Sequence, residues 1–80
     1  MIEVTLYSKP GCHLCEPVEA TIVELAKQHV FAFVKRNILD DPEDFARYKH
    51  AIPVVTVNGK EIARYRLSME QLQRALQEAQ

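Results

Sequence analysis

The sequence predicts an α/β fold: a four-stranded mixed sheet with helices on both faces, in the order β-α-β-α-β-β-α. Three observations lead there. In the first half, strand-like runs alternate with runs of helical period. Asn58-Gly59, the strongest short hairpin signal, sits between two short strand-like runs. Ser68-Met69-Glu70-Gln71 reads as a capping box that opens a last helix.

Residues 2–7 alternate, with Ile2, Val4 and Leu6 on one side and Glu3, Thr5 and Tyr7 on the other, which is a strand pattern. After the cysteines, Val18, Ile22, Leu25 and His29 recur at helical spacing, while Glu16, Glu19, Glu24 and Lys27 fill the opposite face. An amphipathic helix is therefore expected over about 13–29. Glu16 and Pro17 both suit its first turn. The β-branched and aromatic run at 30–38 is a second strand, parallel to the first because a helix separates the two.

Asp41 can cap the next helix, Pro42 suits its first position, and Glu43 and Asp44 follow where the helix dipole favours acids. That helix is short, about 42–50, with Phe45 and Tyr48 expected to face inward. Pro53 forces Ile52 to be extended, and Val54–Val57 is a strand. Positive φ at Asn58 and Gly59 turns the chain into a return strand at 60–65. The last helix, about 69–79, offers Met69, Leu72, Leu76 and Ala79 to the core, with Leu67 and Leu72 placed for a hydrophobic staple. Tyr65 and Phe31 read as core or sheet-face residues.

Eighty residues at 48% apolar content, with no linker-like or low-complexity tract, make one domain over residues 1–80. Ten basic against eleven acidic residues leave a formal charge of −1 and no basic run, so nucleic-acid binding through phosphate attraction is not expected. No run approaches the ~20 apolar residues of a membrane span, and the opening residues alternate rather than forming a leader. The expectation is a cytoplasmic, monomeric protein, in a compartment that keeps thiols reduced.

Both cysteines, Cys12 and Cys15, lie in Lys9-Pro10-Gly11-Cys12-His13-Leu14-Cys15. The order of elements puts this stretch between a strand's carboxyl end and a helix start, where open α/β sheets place ligand sites. Free N–H groups and the helix dipole favour an anion there, and a thiolate is an anion. Cys12, the outer thiol beside Lys9, is expected to be the nucleophile, with Cys15 a turn along to resolve a mixed disulfide on it. Gly11 leaves the approach to Cys12 uncrowded. The competing readings are a metal clamp and a small structural disulfide. A zinc site needs about four ligands, and beyond the pair the chain offers only three scattered histidines. A c-type haem site would need histidine where Glu16 stands. A structural disulfide over so short a loop contributes little.

The run Leu6-Tyr7-Ser8-Lys9-Pro10-Gly11-Cys12-His13-Leu14-Cys15, followed by a long helix, Ile52-Pro53-Val54-Val55 and Val57-Asn58-Gly59, resembles the glutaredoxin-like proteins of the thioredoxin fold over nearly the whole chain. That resemblance implies a thiol–disulfide oxidoreductase acting on protein or glutathione mixed disulfides. It would be reduced by glutathione or a thioredoxin-reductase-type flavoenzyme, with no tightly bound cofactor and no metal. It also implies a cis Ile52–Pro53 bond near the cysteines, with the backbone of Ile52 free to pair with substrate.

By the same resemblance, Lys9 would meet a glutathione carboxylate, with Arg47 a candidate for the other; both can equally be ordinary solvated side chains. The resemblance departs after the last strand. Glutaredoxins have a Gly-Gly-x-Asp-like turn there, whereas this chain has Ala63-Arg64-Tyr65-Arg66-Leu67-Ser68, leaving Ser68 at a helix start as the remaining anion-binding candidate. Leu6 stands where thioredoxins bury an acid. A protonated His13 would favour the Cys12 thiolate, although no acid partner is evident and an inert surface imidazole fits as well. Two rivals from other classes are a dimer bridging an iron–sulfur cluster through Cys12 and a non-catalytic peptide-binding adaptor.

Overall fold

Strand β1 (Glu3–Ser8) pairs in parallel with β2 (Ala32–Asn37) on one side and antiparallel with β3 (Val54–Val57) on the other. β3 then pairs antiparallel with β4 (Lys60–Arg64), giving the sheet order β2-β1-β3-β4. The computed structural model describes residues 1–80. Three helices complete it: α1 (Cys15–Ala26), α2 (Pro42–Tyr48, entered through a 3-10 turn at Ile38–Asp40) and α3 (Met69–Glu78). This is the expected α/β architecture with the expected mixed sheet. No helix is long and apolar enough to cross a membrane.

The alternation read in β1 assigns its two faces. Val4 and Leu6 are fully buried against α1 and α3, in a cluster that includes Ile22, Leu25, Val55, Leu72 and Leu76. Burying each large aliphatic side chain contributes about 1.5–3 kcal/mol, so this layer supplies most of the stabilisation. Tyr7 points to the other face, where α2 covers a smaller cluster of Ile38, Tyr48, Ala51 and Val54. The Tyr7 and Tyr48 rings lie 4.5 Å apart, and the guanidinium of Arg36 sits 5.9 Å above Tyr7. Arg36 is itself held by Asp44 at 2.9 Å and Asp41 at 3.4 Å.

The local signals form as written. Asp41 Oδ1 accepts from the N–H groups of Glu43 and Asp44, with Pro42 opening α2. Asn58 and Gly59 both take positive φ, 51° and 84°, and turn β3 into β4. The Ser68–Gln71 capping box is complete in both directions.

Four expectations are corrected. α1 is shorter than expected, and its buried stripe is Cys15, Val18, Ile22 and Leu25, one turn earlier than read. His29 lies beyond the helix and is exposed. Phe45 is exposed, because a helix of two turns has one inward position on this face and Tyr48 takes it by stacking on Tyr7. Tyr65 lies outside β4 at φ 67°, nearly half exposed rather than in the core.

Candidate functional site

Where β1 ends, the chain turns through Lys9, Pro10 and Gly11 before α1 begins. Gly11 has φ 81°, which only glycine adopts without strain, and a Cβ there would meet nothing. The turn delivers Cys12 just outside the helix and Cys15 as its first residue. The two sulfurs are bonded, with Cα atoms 5.4 Å apart. Their surroundings differ. Cys15 heads the buried stripe of α1 and is 5% exposed, whereas Cys12 is only partly buried. An incoming sulfur therefore meets Cys12 first.

Leu14 occupies the cap position of α1 without a side-chain cap. The N–H groups of Cys15 and Glu16 turn back to the carbonyls of Cys12 and His13, both at 3.3 Å, and Pro17 has no N–H to offer. The N–H groups of His13 and Leu14 make no backbone hydrogen bond. They are the free donors at the positive end of the helix, next to the Cys12 sulfur in sequence. His13 does have an acid partner that the sequence reading missed: its Nδ1 lies 3.9 Å from Glu16, one turn along, with both side chains exposed.

Lys9, Gly11, Cys12, His13 and Cys15 line one cleft of about 210 Å³. Ile52, Pro53, Arg47 and Ser68 lie outside it. The Ile52–Pro53 bond is cis, at the head of β3. Because Tyr7 pairs with Val54, this bond sits at the same end of the sheet as the cysteine turn. Neither the N–H nor the carbonyl of Ile52 makes a backbone hydrogen bond. Tyr65 braces this loop from both sides. Its N–H donates to the Pro53 carbonyl at 2.7 Å and its hydroxyl donates to the His50 carbonyl at 2.8 Å. Arg47 lies in the last turn of α2, its guanidinium 5.8 Å over the Tyr48 ring. The Ser68 hydroxyl oxygen is taken by the Gln71 N–H.

The cysteine cleft also takes in residues that had no part in the site as read from the sequence, among them Ser8, Glu19 and Lys35. Lys35 Nζ lies 2.8 Å from Glu19 Oε1 and ties β2 to α1. The signals were present, since Ser8 continues the inward face of Val4 and Leu6 and Glu19 stands four residues after Cys15. The pairing of Glu19 with Lys35, sixteen positions away, needed the fold. No group of three or more histidine, cysteine or carboxylate side chains gathers as metal ligands would.

A family model described as "Glutaredoxin-like domain (DUF836)" matches residues 3–77. The solution structure of protein Ne2328 from Nitrosomonas europaea is similar at 26% identity and a TM-score of 0.79, covering 92% of this chain and 89% of that one. An X-ray structure of a protein from X. campestris is similar at 28% identity and a TM-score of 0.69, covering 96% and 97%. Fasciola hepatica thioredoxin shares the fold, at 22% identity and a TM-score of 0.67 over 99% of this chain and 81% of that one. No curated protein matches the chain.

Proposed function

The chain belongs to the glutaredoxin-like domain family, and from that premise we propose that it is a thiol–disulfide oxidoreductase working through Cys12 and Cys15. The observation that carries this reading is the unequal exposure of two bonded sulfurs at the entry of α1. A pair built only as a staple gains nothing from leaving one sulfur open. A redox pair needs that asymmetry, because one thiol must meet substrate while the other waits.

In the reduced protein Cys12 is the attacking thiolate. The unpaired N–H groups of His13 and Leu14, the helix dipole and the Lys9 ammonium all favour its charged form. Attack on a substrate disulfide forms a mixed disulfide on Cys12 and releases the first substrate thiolate. Cys15 then displaces the second, closing the Cys12–Cys15 bond. His13 tunes the thiolate when protonated.

The free backbone of Ile52 supports a substrate held as an extended strand beside the cis proline. A glycine-free turn before α3, with the Ser68 hydroxyl already engaged in its cap, favours a protein disulfide over glutathione as the substrate. Electrons come from glutathione or a thioredoxin-reductase-type flavoenzyme, without a tightly bound cofactor.

The test offers the oxidised protein two reducing systems: NADPH with glutathione and glutathione reductase, and NADPH with thioredoxin reductase. Reduction of the Cys12–Cys15 disulfide at a useful rate by one of them is expected. Reduction by neither would overturn the reading.

A further inference from the structure

Cys15 must shed a proton before it can attack. At 5% exposure it cannot give that proton straight to bulk water, so the proton must leave through whatever lines its one open side. That side is the cleft shared with Cys12. Its titratable and charged groups are Lys9 from the turn after β1, His13, Glu16 and Glu19 from α1 and its entry, and Lys35 from β2. Glu16, Glu19 and a neutral His13 can accept a proton there, but the His13 and Glu16 side chains are 92% and 79% exposed, whereas that of Glu19 is 35% exposed.

The two glutamates are placed differently. Glu16 follows Cys15 directly, a step of about 100° around the helix, and turns to His13. Glu19 is four residues on from Cys15, on the same face and one turn along. Its carboxylate is fixed by Lys35 at 2.8 Å, so it is held in place rather than swinging in solvent. Ser8, 4% exposed, lines the same cleft. A volume of about 210 Å³ holds several waters. The wall of β1 adjoining Ser8 on this face is Leu6, which is fully buried and offers no acceptor.

We propose that Glu19 accepts the Cys15 proton, through water in the cleft, when Cys15 resolves the mixed disulfide on Cys12. This rests on the redox reading of the cysteine pair. Lys35 is a positioning residue that aims the carboxylate. In the step, the Cys15 S–H proton passes to Glu19. The freed electron pair forms the Cys15–Cys12 bond, and the bond from Cys12 to the substrate sulfur breaks with its pair on that sulfur. The departing thiolate takes up a proton from Glu19 or solvent. The substrate sulfur is reduced to a thiol as the cysteine pair is oxidised to a disulfide, and no further reactant is consumed.

The test mixes reduced protein with 5,5′-dithiobis(2-nitrobenzoate) in a stopped-flow instrument. Attack by Cys12 releases one coloured thiolate and resolution by Cys15 releases a second, so the two steps appear as separate phases. In Glu19→Gln the second phase should slow by about a hundredfold near pH 6.5, the scale of a positioned acid–base group. The first phase serves as the internal reference. The deficit should shrink as pH rises and Cys15 ionises unaided, and Glu19→Asp should recover part of the rate.

A purely electrostatic role makes the opposite forecast. Removing the Glu19 charge leaves Lys35 unneutralised beside Cys15, which favours the thiolate and speeds the second phase. An unchanged or faster second phase, or a deficit that does not vary with pH, would overturn the proposal. Loss of the first phase in the unaltered protein would overturn the redox reading, and this proposal with it.

Discussion

On one face of the sheet eleven buried residues from β1, β3, β4, α1, α3 and the turn before α3 form a continuous apolar layer. On the other, four buried residues lie under a two-turn helix, supplemented by a tyrosine pair and by Arg36 between Asp41 and Asp44. The contrast maps onto the two halves of the candidate site. Cys15 begins the stripe that plugs α1 into the thick layer, so the sulfur pair is anchored to the best-packed part of the molecule. The Ile52–Pro53 loop hangs from the thin layer, where Ile52 packs on the small cluster and Tyr65 ties the loop by two hydrogen bonds. A sulfur pair on the thick layer and a loop on the thin one, at the same end of the sheet, would give the proposed exchange a rigid half and a more adjustable half.

Matched truncations probe that contrast with the largest effect. Ile22 and Ile38 are both at most 1% exposed, one in each layer. Either change to alanine should cost about 2–5 kcal/mol in urea unfolding, with Ile22→Ala toward the upper end and Ile38→Ala toward the lower, because the thin layer can collapse into the gap. Equal losses would erase the distinction between the faces.

Removing the α2 cap by Asp41→Ala should cost about 0.5–2 kcal/mol. Amide exchange should then speed up within Pro42–Tyr48 and stay unchanged in Cys15–Ala26; a uniform rise would mean the layers unfold as one unit. Tyr65→Phe keeps the backbone bond to Pro53 and loses the hydroxyl bond to His50, an expected cost of about 0.5–1.5 kcal/mol. Exchange should quicken at Ala51, with weaker capture of a protein disulfide and an unaltered reaction with a small one.

The smallest effect is a pH slope. Burial, then the nearby Tyr48 and Asp44, push the Tyr7 phenol above its ordinary value. The folded chain therefore keeps that proton longer than the unfolded chain. The contribution is whole below about pH 10, the unfolded value, and is lost as pH rises through the folded one. Thermal melts between pH 9 and 11 should show the slope flattened in Tyr7→Phe.

Most of the fold was legible because its instructions are short-range. Asp41-Pro42, Asn58-Gly59 and Ser68 to Gln71 each fix a turn or a helix start with two to four residues, and each does so in the structure. The cysteine pair and its exposed and buried members could be read from Gly11, the turn and the helix that follows. The errors came where period alone decided. His29 fits the spacing of Val18, Ile22 and Leu25, yet α1 stops at Ala26 and the stripe extends backward to Cys15 instead. Phe45 has the right chemistry for a core and loses the position to Tyr48, whose partner Tyr7 is forty-one residues away. The bracing by Tyr65 and the Glu19–Lys35 pair were unreadable for the same reason, since each joins elements that only the folded sheet brings together.

The account rests on Cys12 carrying a stabilised negative charge at the open end of α1. Iodoacetamide alkylation of Cys15→Ser as a function of pH tests this most directly, because only one thiol remains to react. We expect half-maximal reactivity clearly below the ordinary thiol value of about 8.5, rising toward it when Lys9 is changed to methionine. A midpoint at or above that value, indifferent to Lys9, would contradict the account.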